Sequence, residues 1–427
     1  MATARLKIKL NRNAIYTDYI NITIFLSFIT LCLAQTFNAP SLIYFLIDVP
    51  IVIMITKKLK TLLKVICWNY ILMITLTLFV IFITLIVGII VNEVPFGNAI
   101  YGIYKYFRGF LFFYCTLAFS DKKSIGKTIS MIKIVFILNL FLTFFQFFIL
   151  GINQDLLGGI FGMVVGVNQY TNLFFVIISV FCIEKILNHD SEKKELHLIY
   201  IVCGIMLMIS ALAEIKYFFA EFIILFLIGY FLLPKNRKSV LAIFMIVLCV
   251  LGCYKILIQN FPEFSNLVTQ LKIGGFTKLA DLQRHYSTDY DIGRAVIFSY
   301  SNRYLLPKSI NQIFGMGIGN VTSSNIVNNS FWIKNQDTHY DQFYTAYLYN
   351  EQGIVGFVLY CLIYIELLVL GIRALMNINT KKYGVMLILL VVGCVMIFAY
   401  NMAIYSQLTF IIYWALAILV KKCLILN

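Results

Sequence analysis

Charged residues are scarce in this sequence. Aspartate, glutamate, lysine and arginine together make up 12% of the 427 residues, whereas 61% are hydrophobic, and the mean hydropathy is +0.89. Soluble domains are about a quarter charged and about half apolar. The shortage of charge therefore excludes an ordinary soluble protein and indicates a chain embedded in a membrane.

Several signatures of chemistry are also missing. The sequence contains no His-x-x-x-His pair, no Walker sequence, no internal repeat and no low-complexity tract. The segment 259–351 has no cysteine, and nearly all of the ten cysteines lie inside apolar segments. We interpret them as small core residues rather than a disulfide framework. ATP hydrolysis and metal-assisted chemistry are disfavoured, and no cofactor is expected.

Long apolar runs dominate what is present. A helix needs about twenty apolar residues to cross a bilayer core of about 30 Å. The second qualifying run contains Asp48 and Pro50, so a broken or interfacial helix is predicted there. The pattern predicts an all-α polytopic membrane protein with about twelve transmembrane helices, at 19–37, 41–56, 65–91, 99–119, 129–150, 170–187, 198–213, 217–233, 240–258, 352–373, 384–401 and 405–420.

The positions of the basic residues predict the orientation. Most of the 34 lysines and arginines lie in alternate connections, and the short connections between them (36–41, 92–98, 151–169 and 402–407) contain none. Basic loops stay in the cytoplasm. Both termini are therefore predicted to be cytoplasmic, with no cleavable signal peptide. The net charge of +15 reflects topology, and no nucleic-acid partner is expected.

The alternation divides the chain into three parts. Residues 1–258 carry helices one to nine, residues 259–351 form a large extracytoplasmic loop with short helices, and residues 352–427 carry helices ten to twelve. A connection of this length is rare in a compact protein unless it has a function.

His339 is the first candidate for chemistry. Thr338 and Asp341 resemble a helix cap, and the pattern predicts one helix on which Tyr340, Tyr344, Tyr347 and Glu351 form a stripe. Histidine suits proton transfer near neutral pH. The alternative is an interfacial histidine that only caps and forms hydrogen bonds.

The second candidate is the stretch that holds Arg294 and Arg303. The planar guanidinium group suits phosphate oxygens. The two arginines are nine residues apart and would point to opposite sides of one helix. The glycines at 315, 317 and 319 follow, and we interpret them as a flexible turn rather than a phosphate loop.

Two further groups of charges lie within apolar segments. Lys105 and Arg108 are i, i+3 and share a helix face, so they bind an anion or, alternatively, pair with Glu221 or Asp48. Glu214, Lys216 and Glu221 lie at the start of the eighth helix and favour a polar cavity there, because intramembrane charges are costly. The charges together predict an outward-facing cationic cavity for an already activated, phosphate-bearing ligand such as a lipid-linked pyrophosphate.

The layout resembles the Wzy-like polysaccharide polymerases and the O-antigen-ligase-like proteins. Many helices with one long external loop, closed by "DQFYTAYLYNEQGIVGF" (341–357), are similar to that superfamily. The matching positions are Gly293-Arg294, the glycine turn, His339, Glu351, Gly353 and Gly356, together with Gly166, Asn168, Asn172 and "AEIK" at 213–216.

The resemblance implies a metal-independent, C-type-like glycosyltransferase of the bacterial cytoplasmic (inner) membrane. The donor and acceptor would be undecaprenyl-pyrophosphate-linked glycans, with membrane lipids, a chain-length regulator and a flippase as further partners. His339 would serve as general base or as an orienting group at the acceptor, while Arg294, Lys216 and Arg108 would neutralise the pyrophosphate. Relatives commonly have arginine where this chain has Lys216, and lysine lacks the bidentate geometry.

The remaining predicted substrate-binding residues are Lys105, Glu214, Glu221, Arg303, Asn168, Tyr340 and Glu351. Three other functions stay open. A polysaccharide ligase would have a nearly identical site. A flippase or secondary transporter typically has paired repeats and short loops, which this chain lacks. A receptor or structural protein would be expected to carry a modular external domain.

Overall fold

The structure is a computed structural model, and it describes residues 14–69, 71–187, 193–233, 296–322 and 329–425. Every regular element in these ranges is helical, and they contain no strand. The predicted ninth helix, at 240–258, lies outside the described residues, as do Arg294 and most of the first half of the predicted loop.

Within the described residues, eight α-helices precede the loop. They are α1 (Ala14–Phe37), α2 (Asp48–Asn69), α3 (Ile71–Ile83), α4 (Phe96–Phe119), α5 (Lys122–Phe144), α6 (Asn168–Leu187), α7 (Lys193–Leu212) and α8 (Lys216–Leu232). A 3-10 helix, Ser41–Ile47, leads into α2 at Asp48, so the predicted break in the second apolar run is confirmed.

The later helices are α9 (Ile297–Tyr300), α10 (Ser309–Phe314), α11 (Ser330–Asn335), α12 (Tyr344–Leu375), α13 (Lys381–Tyr400) and α14 (Thr409–Ile425). The three short helices α9, α10 and α11 lie in the predicted loop, which therefore does contain helices.

Six of the described helices are long and apolar enough to cross a membrane, namely those covering Asp18–Phe37, Lys122–Ile149, Asn168–Leu187, Lys194–Leu212, Tyr344–Leu375 and Lys381–Tyr400. In the most apolar stretch of α6, 83% of residues are buried, against 28% for α5. Helix α6 is therefore central, and α5 turns large apolar side chains such as Ile137 and Phe141 outward. Such outward apolar faces fit a lipid environment. The chain is a helical membrane protein, and twelve spans stay a prediction.

Helices from both halves of the chain pack side by side in a continuous row. Helix α12 packs along α13, α13 packs against α6 and α14, and α14 packs against α4, which also contacts α2. This arrangement brings α4, from the first half of the chain, beside α12 and α14 from the end of the chain.

Helix α12 is kinked at Gly353, where φ is +66° and ψ is −169°. A Cβ at this position would lie 2.3 Å from the Ile313 carbonyl oxygen, so only glycine fits. The kink frees two helical carbonyl groups, and the turn that follows α10 supplies their partners. The Met316 amide donates to the Asn350 carbonyl at 2.9 Å, and the Gly317 amide donates to the Glu351 carbonyl at 3.0 Å.

The glycine turn at 315–319 is tightly packed rather than loosely held. Gly317 and Gly319 have positive φ, and a Cβ on either would lie within about 2.2 Å of backbone atoms of Gly88 or Asn98. The interpretation as a flexible turn is therefore wrong, because this turn is buried between α4 and the kink of α12.

Candidate functional site

A cavity of about 290 Å³ lies between α4, α12, α14 and the connection between α13 and α14. It is lined by charged, aromatic and amide side chains. The lining residues are Lys105, Tyr106, Arg108, Gly109, Thr322, Asp341, Tyr344, Tyr347, Tyr360, Met402, Ile404, Tyr405, Ser406, Gln407, Thr409, Phe410 and Tyr413.

Arg108 is the better compensated of the two cavity cations. Its Nε donates to Asp48 Oδ1 at 2.9 Å, and its Nη2 donates to the Tyr44 carbonyl at 3.2 Å. The guanidinium carbon also lies 5.0 Å from the centre of the Phe410 ring. Asp48 accepts a further short hydrogen bond from Tyr104. Of the two pairings considered from the sequence, the one with Asp48 is present.

Lys105 is held differently. Its Nζ lies 5.1 Å from the Tyr101 ring centre and 5.5 Å from that of Tyr405. Within the described ranges, no carboxylate comes within 4.0 Å of this ammonium group. Both Lys105 and Arg108 line the same cavity, so the prediction that they share a helix face is confirmed. The cavity therefore contains one cation whose charge a bound anion can neutralise.

Glu351 is completely buried and organises the inner wall. Its Oε1 accepts from the Gly319 amide at 2.9 Å and from the Tyr347 hydroxyl at 3.2 Å. Its Oε2 accepts a short hydrogen bond from Tyr106. These bonds tie α4, α12 and the glycine turn together at one carboxyl group. Glu351 thus supports two cavity tyrosines from behind and does not itself line the cavity.

Stacked tyrosines form one wall of the cavity. The Tyr344 and Tyr405 rings lie 5.2 Å apart with 21° between their planes, and Tyr347 lies 4.9 Å from Tyr405. Tyr405 belongs to the connection after α13, and Ser406 and Gln407 continue that wall. Aromatic faces with a few polar groups that fix orientation are typical of small-molecule sites.

The segment before α12 departs from the prediction. The helix begins at Tyr344, not at Thr338, because His339 adopts a left-handed conformation with φ +50° between two 3-10 turns. Thr338 does not cap the helix, since its hydroxyl donates to the Asn335 carbonyl at 2.7 Å. His339 is exposed and lies outside the cavity lining.

Tyr340 and Asp341 follow His339 and are more buried. The Tyr340 hydroxyl donates to the Val321 carbonyl at 2.7 Å, and burial, together with the nearby Asp341 carboxylate, raises the pKa of this phenol. Tyr340 is therefore a neutral anchor for the turn rather than a ligand group. Asp341 lines the cavity and accepts from Trp332 Nε1 at 3.2 Å.

The charges at the start of α8 lie away from the cavity. Lys216 Nζ pairs with Glu214 Oε1 at 2.5 Å. Glu221 is completely buried next to Asn172 of α6, and neither side chain makes a hydrogen bond of standard geometry. The Asn168 side chain donates to Asp155 at 2.7 Å and to the Ala213 carbonyl at 3.1 Å. The expected convergence of Lys216 and Glu221 with Lys105 and Arg108 is thus absent from this cavity.

The structure describes only one of the two arginines predicted to act from the loop. Arg303 is exposed, with its guanidinium carbon 5.3 Å from the Tyr304 ring centre, and it lies outside the cavity lining. Arg294 lies outside the described residues, so its predicted role stays a prediction. The described ranges contain no group of three or more side chains suited to a metal ion.

Sequence reasoning missed three features of the cavity. It used Asp341 only as a capping residue, and it assigned no role to Tyr405 or Gln407. The polar connection 401–407 between two apolar helices was the available signal, because polar side chains there must find a polar surface at the end of the bundle.

Comparison with known proteins gives no further assignment. No protein-family model matches the chain, and no curated protein matches it either. The family resemblance and the function that it implies therefore depend on the residues and the geometry described above.

Proposed function

We propose that this protein is a membrane-embedded glycosyltransferase that polymerises undecaprenyl-pyrophosphate-linked oligosaccharide repeat units. The observation that carries the proposal is the pairing, within one cavity, of Lys105 with a wall of stacked tyrosines. The Lys105 ammonium group suits the phosphates of the donor, and the tyrosine rings suit the apolar faces of sugar rings.

The proposed reaction breaks one bond and forms another at the anomeric carbon. An acceptor hydroxyl forms the new glycosidic C–O bond, and the bond from that carbon to the pyrophosphate oxygen breaks. The electron pair leaves with the lipid pyrophosphate, which gains negative charge. Lys105 stabilises this charge because a fixed cation in a site of low polarity favours the transition state. Arg108 contributes less, since Asp48 already compensates it.

The setting proposed for this chemistry is the outer face of the bacterial cytoplasmic membrane. The cavity lies at the end of the bundle that carries the segment before α12, which the basic-residue alternation assigns to the outside. Donor and acceptor glycans reach that face already attached to the lipid carrier, so no nucleotide or metal is needed. Arg294, outside the described residues, keeps its predicted role as a hypothesis, whereas Lys216 and His339 do not line this cavity.

A ligase that transfers finished glycan to another acceptor would use the same cavity. Mass analysis of lipid-linked glycans from cells that lack the protein separates the two. Loss of a polymerase leaves single repeat units on the lipid carrier, whereas loss of a ligase leaves long chains on it. Unchanged lipid-linked glycans in these cells would contradict both.

A lipid-linked-glycan transporter is the second candidate, and Glu221 favours it. A completely buried carboxyl group beside Asn172, on helices within the bundle, is the kind of group that proton-coupled transporters use. Purified protein that consumes lipid-linked repeats and releases lipid pyrophosphate would exclude pure transport.

A further inference from the structure

The cavity has one acidic side chain among the described residues that line it, and this is Asp341. The turn that carries it is firmly anchored. Tyr340 is completely buried, donates to the Val321 carbonyl at 2.7 Å, and packs edge-on against Phe331 with ring centres 5.6 Å apart. The Asp341 carboxylate therefore has a fixed position at the cavity wall.

One oxygen of Asp341 has a protein donor, since Trp332 Nε1 donates to Oδ2 at 3.2 Å. No described residue donates a hydrogen bond to Oδ1. A carboxylate at a cavity wall that is oriented by one donor and keeps a second oxygen without a described partner is suited to accept a proton from a ligand. His339, two residues earlier, is exposed and does not line the cavity.

We propose that Asp341 is the group that binds and deprotonates the attacking hydroxyl of the acceptor sugar. This inference depends on the proposed glycosyltransferase function. As the hydroxyl oxygen bonds to the anomeric carbon, its proton moves to Asp341 Oδ1, and the electron pair of the broken C–O bond leaves with the pyrophosphate. The number of atoms and charges is conserved without a metal or a cofactor.

The positions of the other charges agree with this division of roles. Lys105 and Arg108 enter the cavity from α4, whereas Asp341 enters from the turn before α12. A base and a leaving-group cation must not neutralise each other, and no ion pair joins Asp341 to either cation. Tyr344 and Tyr405 lie between these elements and provide an aromatic face for the acceptor sugar.

The substitution Asp341→Asn tests the proposal with little change of structure. Asparagine keeps the shape and an oxygen that can accept from Trp332, but it cannot take up a proton at neutral pH. In proteoliposomes with lipid-linked repeats, we expect turnover to fall by about 100-fold or more. Binding of the lipid-linked donor should be unchanged, because Lys105 remains in place.

Trp332→Phe is the matched control for a merely structural role. It removes the hydrogen bond to Asp341 but leaves the carboxylate, so turnover should fall by less than in Asp341→Asn. Equal losses of turnover in Trp332→Phe and Asp341→Asn would show that turnover depends on the hydrogen bond between the two residues and not on a base at Asp341. That result would overturn the proposal. A variant that fails to fold is recognised by its elution in detergent and by loss of donor binding. If Asp341→Asn fails to fold, Asp341 has a structural role, and the proposal is overturned.

His339→Gln distinguishes the two candidate bases. The loss of turnover in Asp341→Asn should exceed that in His339→Gln, because Asp341 lines the cavity and His339 does not. The reverse order, with full turnover in Asp341→Asn, would assign the proton transfer to His339 instead. Wild-type protein that leaves the lipid-linked repeats unchanged would contradict the glycosyltransferase function itself.

Discussion

Two cations on one face of α4 have different partners, and this difference separates stability from function. Arg108 belongs to a buried pair with Asp48, and both side chains are largely hidden from solvent. Lys105 contacts aromatic rings and comes within ion-pair distance of no described carboxylate. Removal of one member of a buried pair leaves an uncompensated charge, which is costly. Lys105 belongs to no such pair, and its removal takes away only a longer-range attraction to the Glu351 carboxyl group.

We therefore expect Arg108→Met to destabilise the protein by about 3–5 kcal/mol, and Lys105→Met to cost less stability. Thermal unfolding of the purified variants in detergent would show the difference. The double variant Asp48→Ala with Arg108→Met should lose less stability than the two single variants added together. Equal unfolding temperatures for Arg108→Met and Lys105→Met would refute this assignment.

For single residues, the sequence analysis predicted the shared helix face of the two α4 cations, but it placed His339 wrongly, on a helix. The i, i+3 spacing fixes a shared face wherever a helix forms, so Lys105 and Arg108 could be predicted together. The position of His339 depends on a left-handed residue between two short turns. Local propensity is a weak guide when tertiary contacts, here the buried Tyr340, set the backbone.

Among the elements, α12 determines how the cavity is built. Its kink at Gly353 releases the Asn350 and Glu351 carbonyls toward the glycine turn, and that turn holds the Glu351 carboxyl group. The sequence analysis named Gly353 only as a position shared with the superfamily that the chain resembles. What the sequence did not indicate is the partner, because hydrogen bonds across some 35 residues leave no periodic pattern.

Gly353→Ala should destabilise the protein by at least about 1–3 kcal/mol, since alanine would adopt a strained positive φ and its Cβ would clash with the Ile313 carbonyl. Gly204→Ala is the matched control, because a Cβ there meets nothing within 4 Å in α7. That control should be neutral or stabilising by up to about 1 kcal/mol. Unfolding temperatures that fall equally in both variants would show that the kink does not require glycine.

For the molecule as a whole, the apolar composition predicted the class of fold correctly, whereas the number of spans is only partly accounted for. Six described helices are long and apolar enough to cross a membrane. Helix α4 is shown by its contacts to be an integral part of the bundle although it carries two charges. Hydropathy alone fails to identify such a helix as a membrane span, because its polar face is turned toward a cavity rather than toward lipid.

The predicted orientation can be measured with single cysteines. Lys334→Cys on α11 and Lys122→Cys at the start of α5 are both exposed positions. A membrane-impermeant thiol reagent should label residue 334 in intact cells and residue 122 only after permeabilisation. The parent protein gives the background from its own cysteines, of which seven are buried or half-buried, namely Cys32, Cys115, Cys182, Cys203, Cys361, Cys394 and Cys423. Labelling in the opposite order would invert the topology and place the cavity on the cytoplasmic side.

The central claim is that the cavity beside Lys105 transfers sugars from a lipid pyrophosphate. Its most direct test is mass analysis of products over time when purified protein in proteoliposomes is given lipid-linked repeat units. Wild-type protein should convert single units into longer lipid-linked chains and release one lipid pyrophosphate for each new bond. Lys105→Met should lose this activity, whereas Lys308→Ala, at an exposed basic position outside the cavity, should keep it. Single units that remain single with wild-type protein, or chains that grow equally with Lys105→Met, would contradict the claim.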